Sequence, residues 1–178
     1  MSVEIVFETH SISVDNERGI ATGWLDGELS ERGRRLANEL GERRRNDGIA
    51  FGFVSDLGRA VETAEIAFGK LGIPVLQDWR LRECNYGDLN GMPSARLEAE
   101  RSRRIDEPYP AGESYRDVVN RMRTFLNDLS PAYDGARIVV IGHSATRWAL
   151  DHLLSGTPLE ELVGPFDWQE GWEYVLSL

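Results

Sequence analysis

Two largely apolar runs of the sequence have the length and composition of buried β-strands, and a histidine directly follows each of them. The first run covers residues 3–9 and precedes His10, and the second covers residues 138–142 and precedes His143. Short apolar runs of this kind are typical of strands buried in a parallel sheet. Ligands bind beyond the carboxyl ends of such strands. If the two strands are neighbours, both imidazoles lie over one pocket.

Predicted strands and helices alternate along the rest of the chain, which indicates the α/β class. After the strand at 3–9 and a loop at 10–29, we expect a helix at 31–46 with Ser30 as its N-cap, a strand at 49–54, a helix at 57–70, a short strand at 75–77, a loop at 78–93, a charged helix at 94–104, a break at 105–112, a helix at 113–129, a strand at 137–142, a helix at 144–154 and a strand at 173–176. Strand–helix alternation favours parallel pairing with right-handed crossovers. The prediction is a three-layer αβα sandwich with a mostly parallel central sheet, in a single domain spanning residues 1–178.

Charge and composition exclude several classes of partner. The net charge of −10 repels polyanions, so we expect no nucleic-acid partner. No apolar run approaches the roughly 18 residues of a membrane-spanning helix, and the first residues lack the features of a signal peptide, so we expect no membrane partner and a cytoplasmic protein. Cys84 is the single cysteine and cannot form an internal disulfide. A small anion can still bind where a few donors converge.

Two further charged residues complete a candidate phosphate site. Arg59 lies at the start of a predicted helix, and Glu83 lies in a predicted loop. A guanidinium matches phosphate oxygens, and a carboxyl group can transfer a proton to a leaving oxygen. Together with His10 and His143 these residues indicate phosphate chemistry.

Several short motifs surround these four residues in a fixed order. They are Thr9-His10-Ser11, Asn16, Gly23-Trp24-Leu25-Asp26, Leu29-Ser30-Glu31-Arg32-Gly33, Ser55-Asp56-Leu57-Gly58-Arg59-Ala60-Val61-Glu62-Thr63-Ala64, Leu81-Arg82-Glu83, Tyr86-Gly87, Asn90-Gly91, Pro110-Ala111-Gly112-Glu113-Ser114 and Gly142-His143-Ser144. Over most of the chain this ordered set resembles the histidine phosphatase superfamily, also called the phosphoglycerate-mutase-like family. The resemblance implies the phosphoglycerate-mutase-like fold.

The resemblance also implies a role for each candidate residue. His10 would be the nucleophile that forms a phosphohistidine. Arg59 and a protonated His143 would stabilise the charge of the transferring group, and Glu83 would act as general acid and then as general base. The substrate-binding residues would be Thr9, Ser11, Asn16, Thr22, Gly23 and Ser144. No metal and no cofactor is expected, and the partner would be a small phosphorylated substrate.

The chain departs from the family pattern next to the nucleophile. The family arginine before the histidine is Thr9 here, the following glycine is Ser11, and the acidic residue two positions after the histidine is Ile12. The site therefore lacks one guanidinium, which is worth several kcal/mol, on the order of 3, if it contacts phosphate directly. Arg18 and Arg147 are the two candidates to replace it.

These observations predict a phosphatase that hydrolyses a small phosphomonoester through phospho-His10. One alternative is a catalytically weakened member that binds a phosphorylated ligand or a protein partner, and a lesser one is a phosphoglycerate-mutase-type phosphotransferase. Glu8 and His10 fall on one face of their strand and suggest a metal hydrolase, but the spacings typical of metal ligands are absent. His152 is read as an ordinary helix residue. The natural substrate, a homodimer and a lid at residues 84–112 are left open.

Overall fold

The computed structural model describes residues 2–177, apart from the side chains of residues 130 and 131, and it is built around a five-stranded sheet. The strands of the chain are β1 (Ser2–Thr9), β2 (Ile20–Ala21), β3 (Phe51–Val54), β4 (Val75–Gln77), β5 (Met92–Pro93), β6 (Arg137–Gly142) and β7 (Trp172–Ser177). The main sheet has the order β4-β3-β6-β1-β7, and β2 pairs with β5 in a separate two-stranded sheet. Within the main sheet only β7 is antiparallel to its neighbour. The predicted, mostly parallel sheet is confirmed.

Helices cover both faces of this sheet. They are α1 (Val14–Arg18), α2 (Glu31–Arg44), α3 (Gly58–Phe68), α4 (Ser94–Glu100), α5 (Tyr115–Ala132), α6 (Ser144–Leu150) and α7 (Leu159–Leu162). Along β6, Ile138 and Val140 belong to the apolar layer under α5 and α6, whereas Val139 and Ile141 belong to the layer under α2 and α3. Successive side chains of a strand point to opposite faces, so β6 contributes to both layers. This confirms the three-layer αβα arrangement.

The helix boundaries follow from local capping. Ser30 accepts a hydrogen bond from the backbone N–H of Gly33 at the start of α2, and Ser114 caps α5 together with Asp117. Because Ser114 is the cap, α5 begins at residue 115 and not at the predicted 113. After α3 a short 3₁₀ turn ends at Gly72, whose positive φ closes the segment.

Two predicted loops contain short elements. Within residues 10–29 lie α1, capped by Ser13 and Asn16, and β2. Within residues 78–93 lie two 3₁₀ turns and β5. The short helix α7 was not predicted, and α6 continues as a π-helical turn through Ser155. No helix among residues 2–177 is long and apolar enough to cross a membrane.

Candidate active site

A cleft of about 810 Å³ opens at the carboxyl ends of the parallel strands. Its position follows from strand register: Thr9 of β1 pairs with Gly142 of β6, so the residues that follow, His10 and His143, lie side by side. All ten site residues predicted from the sequence line this cleft, namely His10, Arg59, Glu83, His143, Thr9, Ser11, Asn16, Thr22, Gly23 and Ser144. The structure therefore brings the two imidazoles, the guanidinium and the carboxyl group to one place.

The ring of His10 is held in one orientation by the loop that follows it. Its Nδ1 lies 2.6 Å from the carbonyl oxygen of Ser11. A carbonyl only accepts, so Nδ1–H donates and Nε2 keeps its lone pair. The Ser11 backbone N–H in turn donates to Thr63 Oγ1 at 2.9 Å. Burial, followed by the charge of Arg59, lowers the pKa of His10 to about 3, although its bond to Ser11 works in the opposite direction. His10 is therefore neutral at neutral pH.

In the unliganded cleft His143 is neutral as well, and the protonated form expected to stabilise a transferring group is not the one present there. Its ring centroid lies 5.0 Å from that of His10. Nδ1 faces Arg59 Nη2 at 3.4 Å and Nε2 faces Ser55 Oγ at 2.9 Å. A guanidinium has no acceptor, so Nδ1 of His143 must be unprotonated, and Nε2–H donates to Ser55. Burial, then the charges of Arg59 and His10, holds the pKa of His143 well below its usual value.

Arg59 is buried, and the protein itself uses its terminal N–H groups. Nη1 donates to the carbonyl oxygens of Leu25 at 2.8 Å and Asp26 at 3.0 Å. Nη2 donates to the carbonyl oxygen of Gly23 at 2.8 Å and faces His143 Nδ1. The four terminal hydrogens are thus engaged in this unliganded geometry, and the expected contact of Arg59 with phosphate oxygens stays a prediction. Arg59 fixes the turn at residues 23–26 and contributes its charge to the cleft.

Glu83 lies against the start of α6. Its carboxylate accepts hydrogen bonds from Cys84 N at 2.7 Å, Ser144 Oγ at 3.0 Å and Ala145 N at 3.3 Å. The side chain is only 7% exposed. Three donors from two segments hold the carboxyl group in the wall of the cleft that His143 also lines.

The backbone of Glu83 is held by Arg121, a residue that the sequence reasoning missed. Arg121 is buried on α5; its Nη2 donates to the Glu83 carbonyl oxygen at 2.9 Å, and its Nε donates to Glu113 Oε1 at 2.9 Å. Trp24 Nε1 donates to the same Glu83 carbonyl at 2.7 Å. One signal was available: Arg121 follows Val118 by three positions, so a charged side chain falls on the buried stripe of a helix.

Most of the predicted substrate-binding hydroxyl groups are occupied. Ser11 Oγ donates to the Gly33 carbonyl at 2.6 Å, and Thr22 Oγ1 donates to Asp15 Oδ2 at 2.8 Å. Ser144 Oγ donates to Glu83, as described above. These hydroxyl groups shape the cleft walls and offer a ligand only their acceptor lone pairs.

Asn16 and Thr9 still offer donors. Asn16 Oδ1 accepts from Ser13 N at 2.9 Å, while its Nδ2 has no hydrogen bond to the described residues. The Thr9 hydroxyl likewise has no partner among residues 2–177, and both side chains line the cleft. Among the predicted substrate-binding residues, these two offer neutral side-chain donors to an incoming phosphate.

Neither candidate replacement for the missing arginine reaches the cleft. Arg147 pairs with Asp151 at 2.7 Å and lies over the ring of Trp172. Arg18 is exposed at the end of α1, and neither Arg18 nor Arg147 lines the cleft. The expectation that one of them supplies the cation is therefore wrong. The lining contains three other arginines that the sequence reasoning did not assign to the site, Arg32, Arg43 and Arg101.

Glu8, considered above as a metal ligand, is part of a buried ion pair. Its carboxylate lies 2.8 Å from Arg44 and 3.4 Å from Arg43. Burial raises the pKa of Glu8, and the two arginines work against that rise. Within residues 2–177 no group of three or more His, Cys, Asp or Glu side chains is arranged to hold a metal ion.

Comparison with known proteins gives a consistent family. The model of the histidine phosphatase superfamily (branch 1) matches residues 6–166. A 2,3-bisphosphoglycerate-dependent phosphoglycerate mutase of Methylobacterium sp. (strain 4-46) is 33% identical, over 90% of this chain and 84% of the relative. A mycobacterial glucosyl-3-phosphoglycerate phosphatase superposes with a TM-score of 0.77 at 29% identity, covering 91% of this chain and 84% of that one. Bacillus stearothermophilus YhfR superposes with a TM-score of 0.85 at 26% identity, covering 99% and 91%.

Proposed function

Because the chain belongs to the histidine phosphatase superfamily, we propose that it hydrolyses a phosphomonoester through a phosphohistidine on His10. The observation that carries this proposal is the state of His10. Its Nδ1–H donates to the Ser11 carbonyl, and burial keeps the ring neutral, so Nε2 is a free nucleophile. A neutral nitrogen with a fixed ring is what attack on phosphorus needs.

The reaction has two balanced steps. In the first, which starts from the enzyme with Glu83 protonated, Nε2 of His10 forms a bond to phosphorus, the ester P–O bond breaks, and Glu83 gives its proton to the leaving alkoxide. In the second, water attacks the phosphohistidine, Glu83 takes a proton from that water, and the P–N bond breaks to release inorganic phosphate and neutral His10. Two easier displacements replace one difficult displacement.

Charge in the transition state is stabilised by fixed groups around the two imidazoles. Arg59 carries its positive charge at the inner end of the cleft, held by three backbone carbonyl groups. A phosphate dianion next to His143 favours its protonated form, because an opposite charge stabilises the imidazolium. His143 then becomes a second cation only when substrate is bound and Arg59 Nη2 has moved away from its Nδ1.

A phosphotransferase of the mutase type is the second candidate, and the names of the curated relatives favour it. A mutase returns the phosphoryl group to a second oxygen of the substrate and releases no phosphate. With 3-phosphoglycerate and catalytic 2,3-bisphosphoglycerate, formation of 2-phosphoglycerate without inorganic phosphate would identify a mutase. We expect inorganic phosphate instead.

A binding protein without turnover is the third candidate, and Thr9 favours it because the inner cleft has one cation fewer than the family pattern. The test is release of inorganic phosphate from a panel of phosphomonoesters, combined with detection of acid-labile phosphate on the protein. We expect both signals in the wild type and neither in His10→Ala.

The matched control is His152→Ala, which removes a histidine outside the cleft whose Nδ1 contacts the Thr157 carbonyl. It should retain turnover and the phosphoprotein. Turnover that survives in His10→Ala would eliminate His10 as the nucleophile. An absence of turnover on every ester would leave the binding role.

A further inference from the structure

The cleft extends well beyond the His10–His143 end. Its outer walls come from α2, from α4 and from residues 164–171, a stretch called here the C-terminal wall. A volume of about 810 Å³ lies in the upper part of the range for pockets that enclose ligands of some tens of atoms. A phosphate with a three-carbon body fills only a small part of such a cleft.

Six apolar side chains line the outer cleft, beside as many charged ones. The apolar ones are Ile20, Leu36, Leu40, Leu97, Phe166 and Trp168. Trp168 is 61% exposed, and of the large exposed apolar side chains in the described chain it alone lines the cleft. Exposed aromatic surface in a concave site is a feature of ligand binding.

Contacts on both sides of Trp168 hold the C-terminal wall in the unliganded protein. Buried Arg44 of α2 donates through Nη2 to the Glu170 carbonyl oxygen at 3.1 Å and pairs with Glu8 of β1. Gly171 has a positive φ, and a Cβ there would overlap Arg44 and Glu8. The Phe166 ring packs 5.7 Å from the Trp172 ring. A preformed wall lowers the ordering cost of binding.

Charges along the outer cleft are balanced and give no excess of cations. The lining has three arginines, Arg32, Arg43 and Arg101, and three glutamates other than Glu8 and Glu83, namely Glu39, Glu98 and Glu170. Arg43 forms a salt bridge with Glu8. Arg101 donates to the Gly164 carbonyl and lies over the Trp148 ring. A second phosphate or carboxylate on the substrate would meet as many carboxylates as guanidinium groups.

We infer that the substrate is a phosphomonoester whose alcohol carries a bulky, planar, apolar body, and that Trp168 stacks on this body. The inference rests on the proposed function for the position of the phosphate group. It distinguishes this chain from enzymes that act on small substrates with several anionic groups. Trp168 is then a specificity-determining residue.

The kinetic test compares two esters of primary alcohols, 2-(1-naphthyl)ethyl phosphate and glycerol 3-phosphate, so that leaving-group chemistry is matched. We expect the naphthyl ester to have the higher kcat/KM by about tenfold or more, mainly through KM. Trp168→Ala should remove about tenfold of that advantage and leave glycerol 3-phosphate within about twofold. Trp79→Ala is the matched control, since Trp79 is 52% exposed and lies outside the cleft; it should change neither ester.

A binding test separates this inference from the proposed function. Calorimetry with His10→Ala, which cannot form phosphohistidine, should show tighter binding of the naphthyl ester, again by about tenfold. Turnover of both esters without preference would overturn the inference and leave the phosphatase proposal intact. Binding preference that depends on Trp168, without turnover in the wild type, would overturn the phosphatase proposal and support the inference for the ligand that the cleft binds. Equal binding of both esters, or binding of neither, would overturn the inference.

Discussion

Thr9 places a neutral hydroxyl group where a guanidinium would normally reinforce a phosphate site. Both imidazoles are neutral in the unliganded cleft, so the positive charge beside them is that of Arg59. We expect Thr9→Arg to raise kcat/KM for a phosphomonoester at least about tenfold, because an added fixed cation stabilises charge in the transition state. Thr9→Gln, of similar length and uncharged, is the control for side-chain size. An unchanged or lower rate in Thr9→Arg would show that Arg59 and His143 already supply enough charge.

The charge state of His10 is a second property of a single residue. An imidazole can attack phosphorus only while its nucleophilic nitrogen is unprotonated. The pKa of about 3 means that the folded protein protonates His10 only as the pH falls toward 3, and not near 6.5. We expect ¹⁵N NMR, assigned with His10→Ala, to show a neutral His10 ring from pH 7.5 down to pH 5. A titration midpoint near 6.5 would contradict the buried, Ser11-bonded ring.

The contact between α2 and the loop after His10 belongs to the scale of elements. A Cβ at Gly33 would overlap the Ile12 carbonyl oxygen, and this part of the loop is backbone that must move to make room. We expect Gly33→Ala to lower the free energy of unfolding by roughly 1–3 kcal/mol and to lower kcat more than a stability loss alone explains, because the loop orients His10. Chemical denaturation and initial rates measure the two effects.

Gly69→Ala provides the comparison for that substitution. Gly69 ends α3 with ordinary helical angles, and a Cβ there meets no atom within 4 Å. We expect a change of at most about 1 kcal/mol, in the stabilising direction. Equal changes in the free energy of unfolding for the two substitutions would mean that the contact between Gly33 and the Ile12 carbonyl group is not the cause of the destabilisation.

The main elements were predictable because their signals are local. The runs at 3–9 and 137–142 have strand composition, and Ser30 and Ser114 provide helix starts that a sequence alone displays. The placement of His10 beside His143 needed only one further assumption, that their strands are neighbours. In contrast, α1 and β2 depend on a capping box and on pairing with distant β5, and a glycine-rich loop gives little sign of either.

The chemistry of the site was less predictable, because it depends on groups from several elements. The neutral state of His143 depends on its burial and on the approach of Arg59 from α3, and its tautomer depends on Ser55 at the end of β3. The occupied N–H groups of Arg59 depend on how the turn at 23–26 folds over it. These residues lie far apart in the sequence, and no spacing pattern links them. The sequence therefore identifies the residues of the site but not the hydrogen bonds between them.

At the scale of the whole molecule, two buried neutral histidines make stability depend on pH. The pKa values of His10 and His143 are lowered in the folded protein, while the unfolded chain takes up protons near the ordinary value of about 6.5. Their contribution is therefore fully present above pH 6.5 and is lost as the pH falls. Between pH 7.5 and 5.5 we expect a loss on the order of 1 kcal/mol per histidine in the free energy of unfolding.

Denaturation by urea at pH 7.5, 6.5 and 5.5 measures this dependence. His143→Gln should lose less stability over the same interval than the wild type, since one titrating group is gone. Burial raises the pKa of Glu8, so protonation of Glu8 stabilises the folded protein as the pH falls, opposite to the effect of the histidines. The contribution of His143 is therefore measured by the difference between the two proteins and not by the wild-type slope alone. Identical slopes would contradict a neutral His143.

Strand β1 lies inside the sheet, paired with β6 on one side and with β7 on the other. The segment that ends in His10 therefore cannot shift without breaking two ladders of hydrogen bonds at once. In deuterium oxide, the amide protons of Val6 to Glu8 should be among the last to exchange, at rates set by global unfolding. His10 would then directly follow the part of the chain that opens most slowly, and any motion needed for catalysis would occur at the rim of the cleft.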